Sequence, residues 1–258
     1  MAPLSFHVFL IVLPAVFLAG LVDSIAGGGG LLSVPAYMAA GLPPHFVLGN
    51  NKFSSSFGTL FATLRYHRHG LIDVGVALLS AVFALGGSFL GTSAVLLLSP
   101  AFLRWLLVVL VPLVAVFTLA HRSLGRVDRS TDLPRRRKFL IAAPAALLLG
   151  FYDGFFGPGM GMFLILFFTL ALKYDLVTAN ANTKVVNLAS NVAAVATFVA
   201  HGKVIYAIGI PAAVAGIAGN LVGSRLVIRR GGRVIRPVFL FTLLLLFAKI
   251  LYDLLTKR

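Results

Sequence analysis

Long apolar segments are the feature that most constrains this chain. They cover approximately residues 4–22, 31–41, 45–66, 71–98 and 102–120, then 138–151, 160–172, 175–200, 204–228 and 236–255. A helix needs about 20 predominantly apolar residues to cross the hydrocarbon core of a bilayer. Composition agrees: 59% of the 258 residues are hydrophobic and 11% charged, whereas soluble domains are about a quarter charged. The chain reads as an all-α polytopic membrane protein.

One stretch breaks that pattern. In "LVDSIAGGGGLLSVPAYMAAG" (21–41) an acid, Asp23, and four glycines, Gly27, Gly28, Gly29 and Gly30, stand where a membrane helix should continue. Lipid-facing backbone must keep its hydrogen bonds, so a break is tolerated only where protein or a wet cavity supplies partners. Glycines permit a sharp turn and close approach of backbone N–H groups to a ligand. The next helix then aims its N-terminus and dipole there, a ready anion site. The plainer reading is that the glycines only let helices pack closely. Gly-rich nucleotide loops need a preceding strand, and no strand pattern appears.

The break recurs. "GLVDSIAGGGG" (20–30) matches "GFYDGFFGPGM" (150–160) at an offset of 130, pairing Asp23 with Asp153, Gly27 with Gly157 and Gly29 with Gly159. At an offset of 132, Asn50, Lys52, His69, Gly70, Gly87 and Gly91 match Asn182, Lys184, His201, Gly202, Gly219 and Gly223. The chain is a duplication: 1–120 forms one membrane repeat, 121–137 a basic linker and 138–258 the second. The segments 31–41 and 160–172 are too short to span, which makes them half-helices or re-entrant arms.

Charge orients the set. The 22 Lys+Arg outnumber seven acids, all Asp, and cluster in the loops 65–70, 121–138 and 225–236. Cytoplasmic loops carry such an excess. Placing all three in the cytoplasm gives two inverted-topology repeats of about eight to ten membrane segments. The N-terminus then lies outside; with no Lys or Arg before its first apolar run it lacks a signal peptide's basic region and is kept as mature structure. No aromatic-interleaved basic patch suggests nucleic acid. The absence of cysteine excludes disulfides and thiol chemistry, and no metal-ligand spacing or nucleophile–base pair can be nominated.

Two lysines stand at depth. Lys52, Ser55, Ser56 and Thr59 follow a helical i, i+3, i+4, i+7 stripe, and Lys184, Asn187 and Asn191 repeat it. A charged residue at the bilayer centre costs about 2.5–3.5 kcal/mol on insertion scales, so these faces should line the interior; snorkelling to a headgroup is the alternative. Asp23 and Asp153 have two readings, local capping or pairing with Lys52 or Lys184, or titration that couples transport to protons. Gly87, Gly91, Gly219 and Gly223 read as close helix packing, and His69 and His201 as partners of helix C-termini. Trp105 and the tyrosines read as interface anchors.

"DSIAGGGGLLSVPAYMAAGLPPHFVLGNNK", with "YDGFFGPGMG" and "ANANTK", resembles the sulfite exporter TauE/SafE family, also called the toluenesulfonate uptake permeases. The likeness covers about residues 8 to 255. It implies a multi-pass carrier of the bacterial inner membrane that moves sulfite, sulfonates or related anions such as sulfoacetate, with no cofactor and no enzymatic step. Its motif residues here are Asp23, Gly27 to Gly30, Asn50, Lys52, Asp153, Gly157, Gly159, Asn182 and Lys184. Asn51 stands before the first lysine where Thr183 stands before the second. A passive channel, or a permease for another small anion such as a carboxylate, uses the same parts. The expected partners are a small anion and the bilayer, with proton coupling and a homodimer open.

Overall fold

A computed structural model describes residues 6–103, 105, 127–235, 237, 238 and 241. Most of the apolar segments expected at 102–120 and 236–255 lie outside the described residues.

The described chain is helical. The first half holds α1 (Phe6–Ala26), α2 (Gly30–Ala39), α3 (Pro44–Arg68) and α4 (Val74–Leu96). After a 3-10 turn at Ser130–Asp132 come α5 (Arg135–Phe155), α6 (Met160–Leu170), α7 (Leu176–Ala200) and α8 (Tyr206–Arg230). Five of them, α1, α4, α5, α7 and α8, are long and apolar enough to cross a membrane. α3 matches α7 at 25 residues, but its polar stripe lowers its hydropathy.

Local chemistry sets these boundaries in pairs. Pro14 lies inside α1 and Pro144 inside α5, again 130 residues apart. Asp73 caps α4 by accepting from Val76 N, and Asp175 caps α7 by accepting from Val177 N and Thr178 N, which satisfies amides that have no partner in a first turn. His69 and His201 are the C-caps of α3 and α7. Each places its ring Nδ1 2.8 Å from a carbonyl one turn back, Arg65 O or Thr197 O. Gly70 and Gly202 follow at φ 66° and 64°.

Packing crosses the halves. A Cβ on Gly87 or Gly91 of α4 would collide with the carbonyls of Leu147 or Phe151 on α5. One on Gly219 or Gly223 of α8 would collide with those of Phe17 or Leu21 on α1. The small-residue seams let backbones touch, as expected, and each half's fourth helix seats on the other half's first. Contact order gives direction: residues rise together along α1–α8 and α4–α5, while α3 and α7 run against each other, Lys52 meeting Asn191 and Tyr66 meeting Asn180.

The ends differ in charge. At one end Tyr174 donates to Asp73 at 2.6 Å, Lys138 Nζ lies 3.8 Å from Asp73 Oδ2 and 5.0 Å from the Tyr174 ring centre, and Gly231 approaches Val177. This gathers the end of α3 and the starts of α4, α5 and α7 with the end of α8. At the far end His45 Nε2 reaches Val95 O at 3.3 Å and Lys203 Nζ sits 5.6 Å over Phe46. Because Tyr174, just past α6, meets Lys138, near the start of α5, α5 and α6 form a hairpin that returns to its own end. α1 and α2 do the same from the far end, and the two tips meet: Gly27 abuts Gly161 and Met162, and Gly30 abuts Pro158.

The outer faces are apolar. Leu78, Val82 and Phe89 of α4, Leu140 and Leu148 of α5, and Ile210 and Val214 of α8 are exposed, a surface that needs lipid. Tyr37 and Tyr66 are fully buried rather than interface anchors, and Tyr66 donates to Ser24 O at 2.6 Å. Their hydroxyls find partners inside the bundle, which removes the need for a headgroup.

Candidate functional site

The tips meet because each halts its helix in a conformation that only glycine adopts freely. Gly27 and Gly28 have φ of 72° and 88°, Gly157 and Gly159 of 90° and 85°. In the helices that restart at Gly30 and Met160, the amides of Leu31, Leu32 and Met160 donate to the carbonyls of Gly28, Gly29 and Gly157, while Gly30 and Gly161 of the same first turns border the space between the tips.

One ion pair binds each tip to the opposite half. Lys52 Nζ lies 2.6 Å from Asp153 Oδ1 and donates to Asn191 Oδ1 at 3.0 Å. Lys184 Nζ lies 2.9 Å from Asp23 Oδ2 and also donates to the Asp23 carbonyl. Each lysine is eight residues into its helix, about 12 Å at 1.5 Å per residue, one from either end. The pairs therefore flank the middle of the bundle. The lysines are buried, at 3% and 0% exposure, so neither snorkels. Buried charges that far from water must be paired, and the sequence reading of Asp23 and Asp153 as lysine partners is the one observed.

The pairs are unequal. Asp153 also accepts from the Ser190 hydroxyl, and Ser88 donates to Ser190 O at 2.7 Å. In the first half the position matching Ser190 is Gly58, so Asp23 has no such partner. Between the tips lies a small polar cavity whose lining includes Lys52, both aspartates and the glycine turns. Lys184 is not part of that lining; it sits behind Asp23.

A model of the family described as "Sulfite exporter TauE/SafE" matches residues 12–250. The chain belongs to this family.

Its TauE/SafE relatives are named as transporters rather than enzymes. "Probable membrane transporter protein YfcA" of Escherichia coli strain K12 is 38% identical over 240 residues, 92% of this chain and 87% of that one. "Probable membrane transporter protein ORF9" of a Sinorhizobium species is 34% identical over 253 residues, 98% and 96%. A "Probable membrane transporter protein" of Haemophilus influenzae is 33% identical over 237 residues, 92% of each chain. No solved structure matches this chain. With its apolar helices, this makes it a membrane transporter protein.

The expected site residues divide by position. Asp23, Gly28, Gly29, Gly30, Asn51, Lys52, Ser55, Thr59, Asp153, Gly157, Gly159, Asn187 and Asn191 line the cavity. Six expected residues do not. Gly27 is consumed by the tip contact. Asn50 bridges loops, donating to Phe46 O at 2.8 Å and accepting from Ile205 N at 3.3 Å. Asn182 donates to Thr178 O at 2.7 Å and Ser56 to Lys52 O at 2.8 Å. Thr183 and Lys184 are fully buried. For Asn50 and Asn182 the reason is angular, since a two-residue step turns a side chain away from the face of its lysine; Ser56 lies within the stripe, but its hydroxyl is taken up by the carbonyl one turn back. Met160, Gly161 and Ser190 belong to the site and were not anticipated. The first two continue the "GPGMG" turn, a signal available in the sequence; Ser190 carried none, since its repeat partner is a glycine. Among the described residues no group of three His, Cys, Asp or Glu could hold a metal.

Proposed function

We propose that this TauE/SafE protein is a secondary transporter of small sulfur-containing anions, with sulfite, sulfonates and sulfoacetate as the substrate class. The anion is bound near the membrane midplane by Lys52, the amides of the glycine turns and the hydroxyl and amide groups of Ser55, Thr59, Asn187 and Asn191. The observation that carries this reading is that both helix breaks and a buried lysine border one polar cavity at mid-depth. Sulfur oxyanions present several acceptor oxygens, which suits amide and ammonium donors converging from different directions.

The aspartates set the terms of entry. Two lysines and two aspartates leave the region neutral, so an arriving anion gains full contact with Lys52 only as Asp153 yields. Asp153 has the Ser190 hydroxyl as a remaining partner. Lys184, with two bonds to Asp23, stays fixed and holds the α1 tip in place.

The two halves are, in this reading, inverted repeats that rock around the site. Matching elements, cross-half ion pairs and hairpins returning to opposite ends support it. The end that gathers 65–70, 127–138 and 225–230 is assigned to the cytoplasm by its charge, in a bacterial inner membrane, with the N-terminus on the far side.

Liposome reconstitution with labelled sulfite, short sulfonates, thiosulfate and carboxylates tests the proposal. Saturable counterflow of sulfite or a sulfonate, with mutual competition, is expected. Unsaturable flux without exchange of labelled pools would instead establish a channel, and exclusive transport of carboxylates another substrate class.

A further inference from the structure

A second cavity adjoins the first. It lies between α1, α2, α3 and α8, and its lining includes Asp23, Ser33, Ser54, Ser55, Thr59 and Asn220. Asp23, Gly29, Ser55 and Thr59 border both cavities. The corresponding positions of the second half favour no such chamber: Ala19, Ser33 and Ser54 become Leu149, Phe163 and Val186. The asymmetry is therefore written into the side chains.

The chemistry of this lining differs from that of the anion cavity. It contains no lysine, arginine or histidine. Several of its hydrogens are donated elsewhere: Ser33 Oγ to Gly29 O at 3.1 Å or to Asn51 Oδ1, Ser54 Oγ to Asn50 O at 3.0 Å or Asn51 O at 3.1 Å, and one hydrogen of Asn220 Nδ2 to Gly216 O at 2.9 Å. Among these residues the acceptors with lone pairs to spare are the Asp23 carboxylate, Ser33 Oγ and Asn220 Oδ1, since Ser54 Oγ also accepts from the Tyr37 hydroxyl at 3.2 Å. Asn220 is 3% exposed, yet its Oδ1 has no hydrogen-bond partner. A buried acceptor left unmatched costs free energy unless a donor or cation occupies the space beside it. Asn220 fits here because Gly20 and Gly58, against which its amide packs, have no side chain.

We propose that this second cavity is a binding site for a monovalent cation, with sodium the best fit, and that the ion is the coupling ion of transport. Oxygen-only coordination suits a hard cation. The one carboxylate is already paired with Lys184 through Oδ2 and offers only its second oxygen, which suits an ion of single charge better than one of double charge. Opposite charges in adjoining chambers attract strongly where water is scarce. Sodium therefore raises anion affinity and the anion raises sodium affinity by the same factor. The coupling half of this inference rests on the transporter reading above; the binding half does not.

Thermal unfolding of the purified full-length protein, in sodium, potassium or choline gluconate at equal ionic strength, tests binding by itself. A saturable upward shift of several degrees in sodium alone is expected, by mass action. Asn220→Leu removes the free acceptor and Ala19→Leu places in the chamber the bulk that the second half carries at Leu149; both should abolish the shift. Should neither variant fold, Ser54→Val, the second half's own residue, carries the test of location. Equal unfolding in all three salts overturns the site, and a sodium shift that survives these variants overturns its position. In proteoliposomes, replacing sodium by choline should slow labelled sulfite uptake by about 5- to 150-fold, the usual range of coupling between sites. Uptake driven by a pH gradient without sodium overturns the coupling role. Sodium stabilisation without sulfite transport would leave the cation site standing and remove the substrate reading.

Discussion

Lys52 and Asp153 define the chemistry at the scale of single residues. Removing one member of a buried ion pair leaves the other charge stranded, at a cost of about 3–5 kcal/mol, whereas replacing both by apolar groups is often neutral. Asp153→Ala should therefore lower the stability of the detergent-solubilised protein by about that amount. Lys52→Met with Asp153→Leu should recover most of the loss in the same unfolding assay. The double variant should still fail in counterflow, because the ammonium is gone, and retained exchange would remove Lys52 from the mechanism. The depth of both lysines was legible in the sequence, since each stands eight residues into a long helix within a polar stripe. Their partners were not. Local spacing allowed either aspartate to serve either lysine, and only the tip-to-tip meeting of distant segments selects the pairing. The motif asparagines Asn50 and Asn182 show the opposite limit: position beside a lysine suggested a ligand role, but a one- or two-residue step rotates a side chain off the helix face.

At the scale of elements, the glycines are of several kinds, and neighbours in sequence can differ in kind. A Cβ on Gly86 meets open space, whereas one on Gly87 runs into the Leu147 carbonyl. Gly86→Ala should raise stability by up to about 1 kcal/mol through helix propensity, and Gly87→Ala should lower it by about 1–3 kcal/mol through overpacking. Thermal unfolding of the two single variants decides this. Gly27→Ala combines a positive φ with contacts of 2.5–2.8 Å to Gly161 and Met162 backbone atoms, so it should also part the hairpin tips and abolish transport. The loop between α6 and α7 adds a pH dependence. Burial first, and the hydrogen bond to Asp73 second, hold the Tyr174 phenol well above its ordinary value. The folded protein keeps a proton that the unfolded chain releases near pH 10, so this stabilisation is complete below that pH and fades as pH rises through and beyond it. Tyr174→Phe should flatten the alkaline part of a stability–pH curve. Helix positions were readable from hydropathy to within a few residues, as 175–200 against Leu176–Ala200 shows. Length alone leaves the short arms between spanning and re-entry, because it does not say where a chain goes next.

For the whole molecule, the absence of cysteine in the sequence offers a clean test of orientation. Single cysteines at His69, Arg137 and Arg229, all exposed, should react with an impermeant reagent from the cytoplasmic side of inside-out vesicles. Cysteines at Leu97 and Pro100 should react only from the opposite side, and a mixed pattern would undo the assignment. Loop charge carried this signal in the sequence; the exchange of fourth helices between halves did not show there, since a glycine seam names no partner. That exchange has a consequence for biosynthesis. The seam of α4 meets its partner α5 as soon as the next helices are made, but α1 is synthesised first and must wait for α8, about two hundred residues later, the kind of long-range closure that slows folding. Until the ribosome delivers α8, α1 stands unclasped in the bilayer. Chains truncated before Gly219 should therefore be the ones a quality-control protease removes.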